Sequence, residues 1–522
     1  MTVHISAKHK LVGVPSSPVE RNLFPSAKPI DFGGTPHLLV PHGPVETFML
    51  RRLGHDVPAP ITVHYDWPGF HKPFDVQRKT CSLMTMNDRC YVLNDMGTGK
   101  TKAALWSWDY LNTQGLANKL IIFAPLSTLN FTWAAEVFAT LPHRKCVILH
   151  AGDKAKRISR LADPDAEIFI INHDGLKVIH DELVARTDID TLLIDELAVF
   201  RNGMSPRVKQ MAKYARKMKW VWGMTGGPIP HLPTDAWAQA NIVTPNTVPK
   251  RFTQFRHELM VKIDQFKWIP KADAVDRAFA ALQPAVRYTL DDVVELPELI
   301  ERHVTVAMGP SQAKVYKGLA DHAYAMIQTE QVTAANAGAV MNKLLQVATG
   351  WVYTTGGGTS KLDNDGRVAA MLDAIEATNR KVLVFVPFKH ALAGLSEALK
   401  GAGIDHETVS GDTTLKERSE IFNLFQNTDR YKVLAAHPQC LAHGITLTAA
   451  DTVIWFGPTT SLEVFLQANA RVRRVGQKNK QLVLMFQGTP VEKKIYGMLQ
   501  RSQKIQDNLL DLFVANNANA LT

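Results

Sequence analysis

Two series of short apolar runs, each alternating with stretches of helical periodicity, constrain this chain more than any other feature. The first series falls at 91–93, 120–124, 146–149, 168–171, 192–194 and 221–224, and the second at 382–386, 408–409, 433–435, 452–456 and 482–486. Short apolar runs without polar alternation are strands buried on both faces, and strands that alternate with helices form parallel sheets. The expectation is an α/β chain of two tandem lobes, each a parallel sheet flanked by helices. Residues 229–375 between them are helix-rich, lack the rhythm, and read as a linker or insertion.

Residues 1–70 carry Pro15, Pro18, Pro25, Pro29 and the stretch Val57-Pro58-Ala59-Pro60. They read as a small, irregular accessory segment, with one short helix over 45–53 ended by Gly54. The lobes are assigned to 71–228 and 376–488. The remainder, 489–522, reads as an amphipathic helix through Val491, Ile495, Met498, Leu499, Leu509 and Phe513, followed by a polar tail.

The first strand of the first series leads into Asn94-Asp95-Met96-Gly97-Thr98-Gly99-Lys100-Thr101, and a helical stretch begins at Lys102. A strand, a glycine turn and a helix start aim backbone N–H groups and the positive helix end at a phosphate. Gly97, Thr98 and Gly99 would form the cradle. Lys100 would reach the β- and γ-phosphates of ATP, and the Thr101 hydroxyl would ligate Mg²⁺. Asn94 stands where the usual pattern has its first glycine, so a plain glycine turn is the competing reading.

Phosphate-ester hydrolysis also needs a carboxylate for the metal and one to orient water. Leu192-Leu193-Ile194-Asp195-Glu196 places both acids at the end of a buried strand, with Asp195 as the second Mg²⁺ ligand and Glu196 as the base. Asp181-Glu182 has no such strand before it and reads as helix or loop. Late in the chain, Gln467 precedes Arg471 and Arg474, which a helix would set on one face as cations for a transferring phosphoryl group. A solvated basic patch is the alternative for that segment alone.

Together these segments resemble the motifs of helicase superfamily two, and within it the Swi/Snf-type double-strand translocases. Pro73-Phe74-Asp75-Val76-Gln77 resembles the motif whose glutamine reads adenine. The segment Ala124-Pro125-Leu126-Ser127-Thr128-Leu129, with Trp133 and Glu136, resembles the loop that touches the nucleic-acid backbone. Gly223-Met224-Thr225-Gly226-Gly227-Pro228 resembles the motif that couples hydrolysis to movement.

In the second lobe, Ser410-Gly411-Asp412 with Arg418, then His443-Gly444-Ile445-Thr446-Leu447-Thr448, and finally Gly488-Thr489-Pro490-Val491-Glu492, match later motifs. The resemblance spans about residues 70–500 in order. It implies two RecA-like lobes, ATP·Mg²⁺ held between them, and a step along one strand with each hydrolysis. Pro125, Leu126, Ser127, Thr225, Gly226 and Gly444 are the nucleic-acid and coupling residues it implies. Wording around Trp67-Pro68-Gly69, Asn172-His173-Asp174-Gly175 and Ile454-Trp455-Phe456-Gly457 most resembles phage-encoded members.

Three departures stand out: Leu197-Ala198 follows Asp195-Glu196 where relatives carry a small residue and His, Gly227 replaces a threonine, and His443 replaces a glycine. These leave room for a nucleic-acid-binding scaffold with a weakened ATPase, beside a translocase and a strand-separating DNA or RNA helicase.

Lys plus Arg number 59 against 49 Asp plus Glu, a net charge of +10, which suits a polyanion such as double-stranded or branched DNA. A basic stretch, Arg207, Lys209, Lys213, Arg216, Lys217 and Lys219, reads first as a solvated helix face. Cys81, Cys90, Cys146 and Cys440 are scattered and imply neither disulfides nor zinc. Gly356-Gly357-Gly358-Thr359-Ser360-Lys361 lacks the ending of a phosphate loop and reads as a turn. No signal-like or membrane-length apolar run occurs. The expectation is an intracellular, cytoplasmic protein, in a host cytoplasm if phage-encoded, with protein partners, oligomeric state and direction of travel unassigned.

Overall fold

The structure is a computed structural model. It describes residues 3–264, 267–328, 334–353, 358–441 and 445–521, with side chains 323–337 and 518–521 left aside. Gly444, His443, Gly356 and Gly357 lie outside the described residues. The chain divides into two compact bodies, residues 1–293 with 505–522, and residues 294–504.

The N-terminal residues are more regular than their prolines suggest. Strands β1 (His4–Ser6), β2 (Leu11–Pro15), β3 (Lys28–Phe32) and β4 (Thr35–Pro41) form an antiparallel sheet in the order β1-β2-β4-β3. Pro15 and Pro41 end their strands and Pro29 lies on an edge strand, positions where the missing donor costs little. Val12, Val14, Leu38, Val40 and Leu50 form the small core beneath. The helix Pro44–Arg52 lies close to its expected span, and Gly54 follows at φ 84°.

The same body holds β5 (Arg89–Val92), β6 (Lys119–Ala124), β7 (Cys146–Ile148), β8 (Ile168–Asn172), β9 (Ile189–Asp195) and β10 (Trp220–Met224). A two-stranded hairpin follows, β11 (Met260–Lys262) with β12 (Trp268–Pro270), and then β13 (Ala285–Val286). The main sheet runs β13-β5-β10-β9-β6-β8-β7 with every pair parallel.

Successive side chains of each strand leave on opposite faces, so each strand feeds two cores. Tyr91, Ile121, Phe123, Leu192 and Ile194 enter one, and Val92, Leu120, Ile122, Leu193 and Trp222 the other. This double burial is why the runs lack polar alternation.

The second body holds β14 (Leu299–Thr305), the hairpin β15 (Trp351–Tyr353) and β16 (Thr359–Lys361), then β17 (Lys381–Phe385), β18 (His406–Val409), β19 (Val433–Ala436), β20 (Ala450–Trp455) and β21 (Gln481–Gln487). Its parallel sheet is ordered β14-β21-β20-β17-β19-β18. Leu383, Phe385 and Trp455 face one core, and Val382, Val384 and Ile454 the other.

Residues 229–375 therefore do not act as one linker. Their first part adds β13 to the first sheet, and β14 opens the second. Both are edge strands, one of two residues and one with charged residues at Glu301 and Arg302, so neither shows as an apolar run. The final helix, Pro490–Leu521, begins in the second body, while Leu509, Leu510 and Phe513 enter the core of the first.

Candidate active site

In a parallel α/β sheet the loops that follow the strands gather at the carboxyl edge, where ligands bind. Here the five adjacent strands β5, β10, β9, β6 and β8 deliver, in that spatial order, the phosphate loop, Thr225, the Asp195-Glu196 pair, Pro125 and His173 to one edge. The sheet thus assembles residues spread over 130 positions of sequence, roughly the span of one small domain.

The phosphate loop ends in Gly99, left-handed at φ 78°, which caps the helix Lys100–Thr113; Gly97 has φ 91°. A side chain at 99 would meet the Gln77 amide as well as a strained backbone. The Lys100 ammonium donates to the carbonyls of Asn94 (2.6 Å) and Asp95 (3.1 Å). Burial pulls its pKa down, opposed by the charges of Glu196, Asp195 and Asp95. Thr98 is buried and its hydroxyl donates to the Asp95 carbonyl at 2.8 Å.

Asn94 has a definite task. Its amide donates to the Thr80 hydroxyl (2.9 Å) and accepts from the Tyr288 N–H (3.0 Å), which ties the loop to a helix on one side and to the strand edge on the other. Gln77 lies beneath the loop. Its amide donates to the Gly99 carbonyl at 3.1 Å and accepts from the Phe74 N–H at 2.8 Å, which makes it a brace for the loop backbone.

At the end of β9, Asp195 accepts from the Trp133 indole (2.9 Å) and from the Glu196 N–H (3.1 Å). Burial raises its pKa, countered by the Trp133 bond and the Lys100 charge. Glu196 is left-handed at φ 51°, a conformation that costs a non-glycine residue about 1–3 kcal/mol and turns the chain sharply out of the strand. His173 donates through Nε2 to the Asp195 carbonyl at 2.8 Å, and burial lowers its pKa to about 4. An imidazole from another strand thus supports the carboxylate loop from behind, a contact with no signal in the sequence beyond its motif-like surroundings. Asp181 and Glu182 lie in the short helix His180–Ala185, away from any strand end.

Thr225 is buried at the end of β10, its hydroxyl accepting from the Gly227 N–H at 3.2 Å. A side chain on Gly227 would meet the Gln506 amide at 2.7 Å. The glycine that departs from the family pattern therefore makes room for the C-terminal helix. Gly226 follows Thr225 in the same turn. Pro125 opens a short 3-10 turn over Leu126–Thr128; Leu126 is exposed, and Ser127 lies beside it.

The second body carries Gln467, Arg471 and Arg474. The helix Leu462–Asn469 stops short of both arginines, so they stand in the turns after it rather than on one helical face as expected. Arg471 is 2% exposed and donates to the carbonyls of Gln467 (3.0 Å) and Ile445 (3.2 Å), so it holds its own body together. Arg474 is half-buried, donates to the Ala470 carbonyl and the Thr446 hydroxyl, and has its pKa lowered to about 10 by burial. It remains a cation at neutral pH. Gln467 is buried on the helix.

In the basic stretch, Arg207 pairs with Asp174, Arg216 binds the Asn241 amide and Lys219 the Leu116 carbonyl. Lys217 and Lys219 precede the first residue of β10, at the edge of the sheet opposite the phosphate loop. Among the described residues no group of His, Cys, Asp and Glu could hold a metal by itself, the four cysteines are free thiols, and no helix is long and apolar enough to cross a membrane.

Arg287 was not marked by any sequence pattern, although its guanidinium binds the Leu93 carbonyl (2.7 Å) and Asp95 Oδ1 (2.5 Å) at the mouth of the loop. The only local sign is its place after the two-residue strand Ala285–Val286.

The model of the SNF2-related domain matches residues 78–350, and that of the helicase conserved C-terminal domain matches residues 366–476. An ATP-dependent helicase of Mycoplasma genitalium is 25% identical over 423 residues, 79% of this chain and 39% of that protein. Protein p41 of Acyrthosiphon pisum secondary endosymbiont phage 1 is 27% identical over 404 residues, 74% of this chain and 85% of p41. The chain thus spans about two fifths of the length of the Mycoplasma relative and most of the phage one. Among solved structures, the Sulfolobus solfataricus SWI2/SNF2 ATPase core in complex with dsDNA covers 87% of this chain and 96% of its own, at 20% identity and TM-score 0.39. With the SNF2-related model covering 273 of 522 residues (78 to 350 inclusive) and the helicase C-terminal model following in order, the chain belongs to the SNF2-related family.

Proposed function

We propose that the protein is a DNA translocase that couples ATP hydrolysis to movement along duplex or branched DNA. The observation that carries the reading is the meeting of Lys100, Asp195 and Glu196 at one sheet edge, where each carboxylate influences the lysine charge.

The residues present fit ATP·Mg²⁺. The helix start at Lys100 and the left-handed glycines offer N–H groups and close backbone approach to phosphate. Asp195 has given up only part of its acceptor capacity to Trp133 and Glu196, since an ionised carboxylate has about four lone-pair sites. Thr101 and Asp195 would hold the metal, which would neutralise charge on the phosphates. Lys100 exchanges its carbonyl partners for phosphate oxygens, and Glu196, turned out of the strand, orients the attacking water and takes its proton. Arg474 would supply the further cation that the family resemblance implies; within its own body, Arg471 fixes the turn that carries it.

Duplex DNA is favoured as the track by the charge of +10 and by relatives named for chromatin remodelling, such as protein CHROMATIN REMODELING 5 of Arabidopsis thaliana. Pro125, Leu126, Ser127, Thr225 and Gly226 are the proposed contact and coupling residues, acting inside the cell where DNA and ATP are found.

The test is ATP turnover with no nucleic acid, duplex DNA, single-stranded DNA and RNA. Duplex should stimulate the wild type without displacing a labelled strand. Lys100→Ala and Glu196→Gln should abolish turnover, and Glu196→Gln should still bind ATP. Arg474→Ala should lower turnover by about 10³-fold or more, as loss of an arginine finger does. Wild-type turnover that ignores every nucleic acid would refute the motor, and strand displacement would make it an unwinding helicase.

A further inference from the structure

One side of the phosphate loop is walled by a segment outside every motif used so far. Strand β13 pairs with β5 through Ala285 and Val286, and the chain then runs on beside the loop. The Leu93 N–H donates to the Val286 carbonyl (2.9 Å) and the Asp95 N–H to the Tyr288 carbonyl (2.9 Å). In return, the Leu290 N–H donates to Asp95 Oδ2 at 3.1 Å.

Arg287 lies in the middle of this wall, 6% exposed. Its guanidinium spans from the Leu93 carbonyl to the Asp95 carboxylate. Asp95 in turn offers its own carbonyl to the Lys100 ammonium and to the Thr98 hydroxyl. Arg287 therefore fixes the residue on which both the lysine and the loop threonine rest.

The backbone of Arg287 is held from the other side. Its N–H donates to Asn517 Oδ1 at 2.9 Å, and the Asn517 amide donates back to the Arg287 carbonyl. A side-chain amide thus reproduces the pairing that another strand would give at this sheet edge. Asn517 belongs to the C-terminal helix, which also places Gln506 against Gly227 and buries Leu509, Leu510 and Phe513. Burial raises the pKa of Asp507 on the same helix, with smaller influences from the charges of Asp511, Arg287 and Asp95.

We propose that Arg287 is a positioning residue for the phosphate loop, acting through Asp95 on Lys100, and that Asn517 holds it in place, so that ATP affinity depends on the C-terminal helix. This rests on the reading of the loop as an ATP site. Lysine would replace the two separate guanidinium nitrogens, one on the Leu93 carbonyl and one on Asp95, with a single ammonium that lacks this planar fork.

The experiment compares wild type, Arg287→Lys, Asn517→Leu and Arg89→Lys in the full chain. Arg89 is the structural reference: it begins β5 at the opposite edge and donates to the carbonyls of Val243, Ala215 and Met218. ATP affinity is read by calorimetry with Mg²⁺, with thermal unfolding and the KM and kcat of turnover alongside.

Removing the outer partner that orients a metal-ligating residue typically costs about 10–100-fold in affinity or activity, and the same scale is expected for the partner of a loop residue. Arg287→Lys should therefore weaken ATP binding and raise KM by about tenfold or more, with a smaller change in kcat. Asn517→Leu should move affinity in the same direction by less, and Arg89→Lys should lower the unfolding temperature while leaving ATP affinity unchanged. ATP bound equally tightly by Arg287→Lys and wild type, or weakened equally by Arg89→Lys, overturns the positioning role alone. A wild type that binds no ATP overturns the ATP-site reading with it.

Discussion

Gly227 and Gln506 form a matched pair. The glycine stands where the motif it resembles has threonine, and the space a side chain would fill holds the buried Gln506 amide. Gly227→Thr should therefore destabilise the protein by about 1–3 kcal/mol, as overpacking of a filled interior does. Adding Gln506→Ala should recover much of that loss, which chemical denaturation of the single and double variants would measure. A threonine tolerated without cost would show that the pair is not matched.

His173 gives a pH-dependent counterpart. Its pKa falls from 6.5 to about 4 on burial, so between those values the unfolded chain binds a proton that the folded one does not. The neutral imidazole's contribution is thus complete above pH 6.5 and is lost as pH falls towards 4. At pH 5 the loss is about 2 kcal/mol, from about 1.4 kcal/mol per pH unit over the interval. His173→Gln keeps an N–H donor for the Asp195 carbonyl but does not titrate. Its stability should fall less than the wild type's between pH 7.5 and 5, and parallel curves would remove His173 as the cause.

Among elements, the start of the C-terminal helix shows how a motif can serve folding. Glu492 accepts from the N–H groups of Gly488 and Thr489 and from the Thr489 hydroxyl, and it pairs with Arg367 at 2.7 Å. Both ionic side chains are buried, and Arg367 also donates to the Phe456 carbonyl. Glu492→Ala would strand the guanidinium in the interior, with a cost of about 3–5 kcal/mol. Equilibrium unfolding should show that loss, while Glu492→Gln, which keeps an acceptor, should lose less.

Much of the sheet framework was legible because every central strand is apolar on both faces. The placement of the phosphate loop and of Asp195-Glu196 was legible because both stand directly at the ends of strands of that kind. Strands β13 and β14 were hidden by brevity and by charge at the sheet edges, and β1 to β4 by prolines, among them Pro15 and Pro41 at strand ends and Pro29 on an edge strand. The support given by Arg287, His173, Trp133 and Asn517 was hidden for a different reason. Each partner lies tens to hundreds of residues away in sequence, and one hydrogen bond across such a distance leaves no periodic trace.

At the scale of the molecule, the body that holds the phosphate loop is discontinuous: residues 505–522 complete what residues 1–293 begin. Leu509, Leu510 and Phe513 bring it core side chains worth about 1.5–3 kcal/mol each when fully buried. Asn517 closes its sheet edge and Gln506 fills the hollow at Gly227. Synthesis runs in one direction, so all of the second body is made before these pieces arrive. Once residues 1–293 are made, a nascent chain therefore carries its phosphate loop for some two hundred further residues of translation, about 10–40 s at 5–20 residues per second, before the last parts that steady that loop exist. The order of manufacture thereby delays the steadying of that loop until the second body has been made.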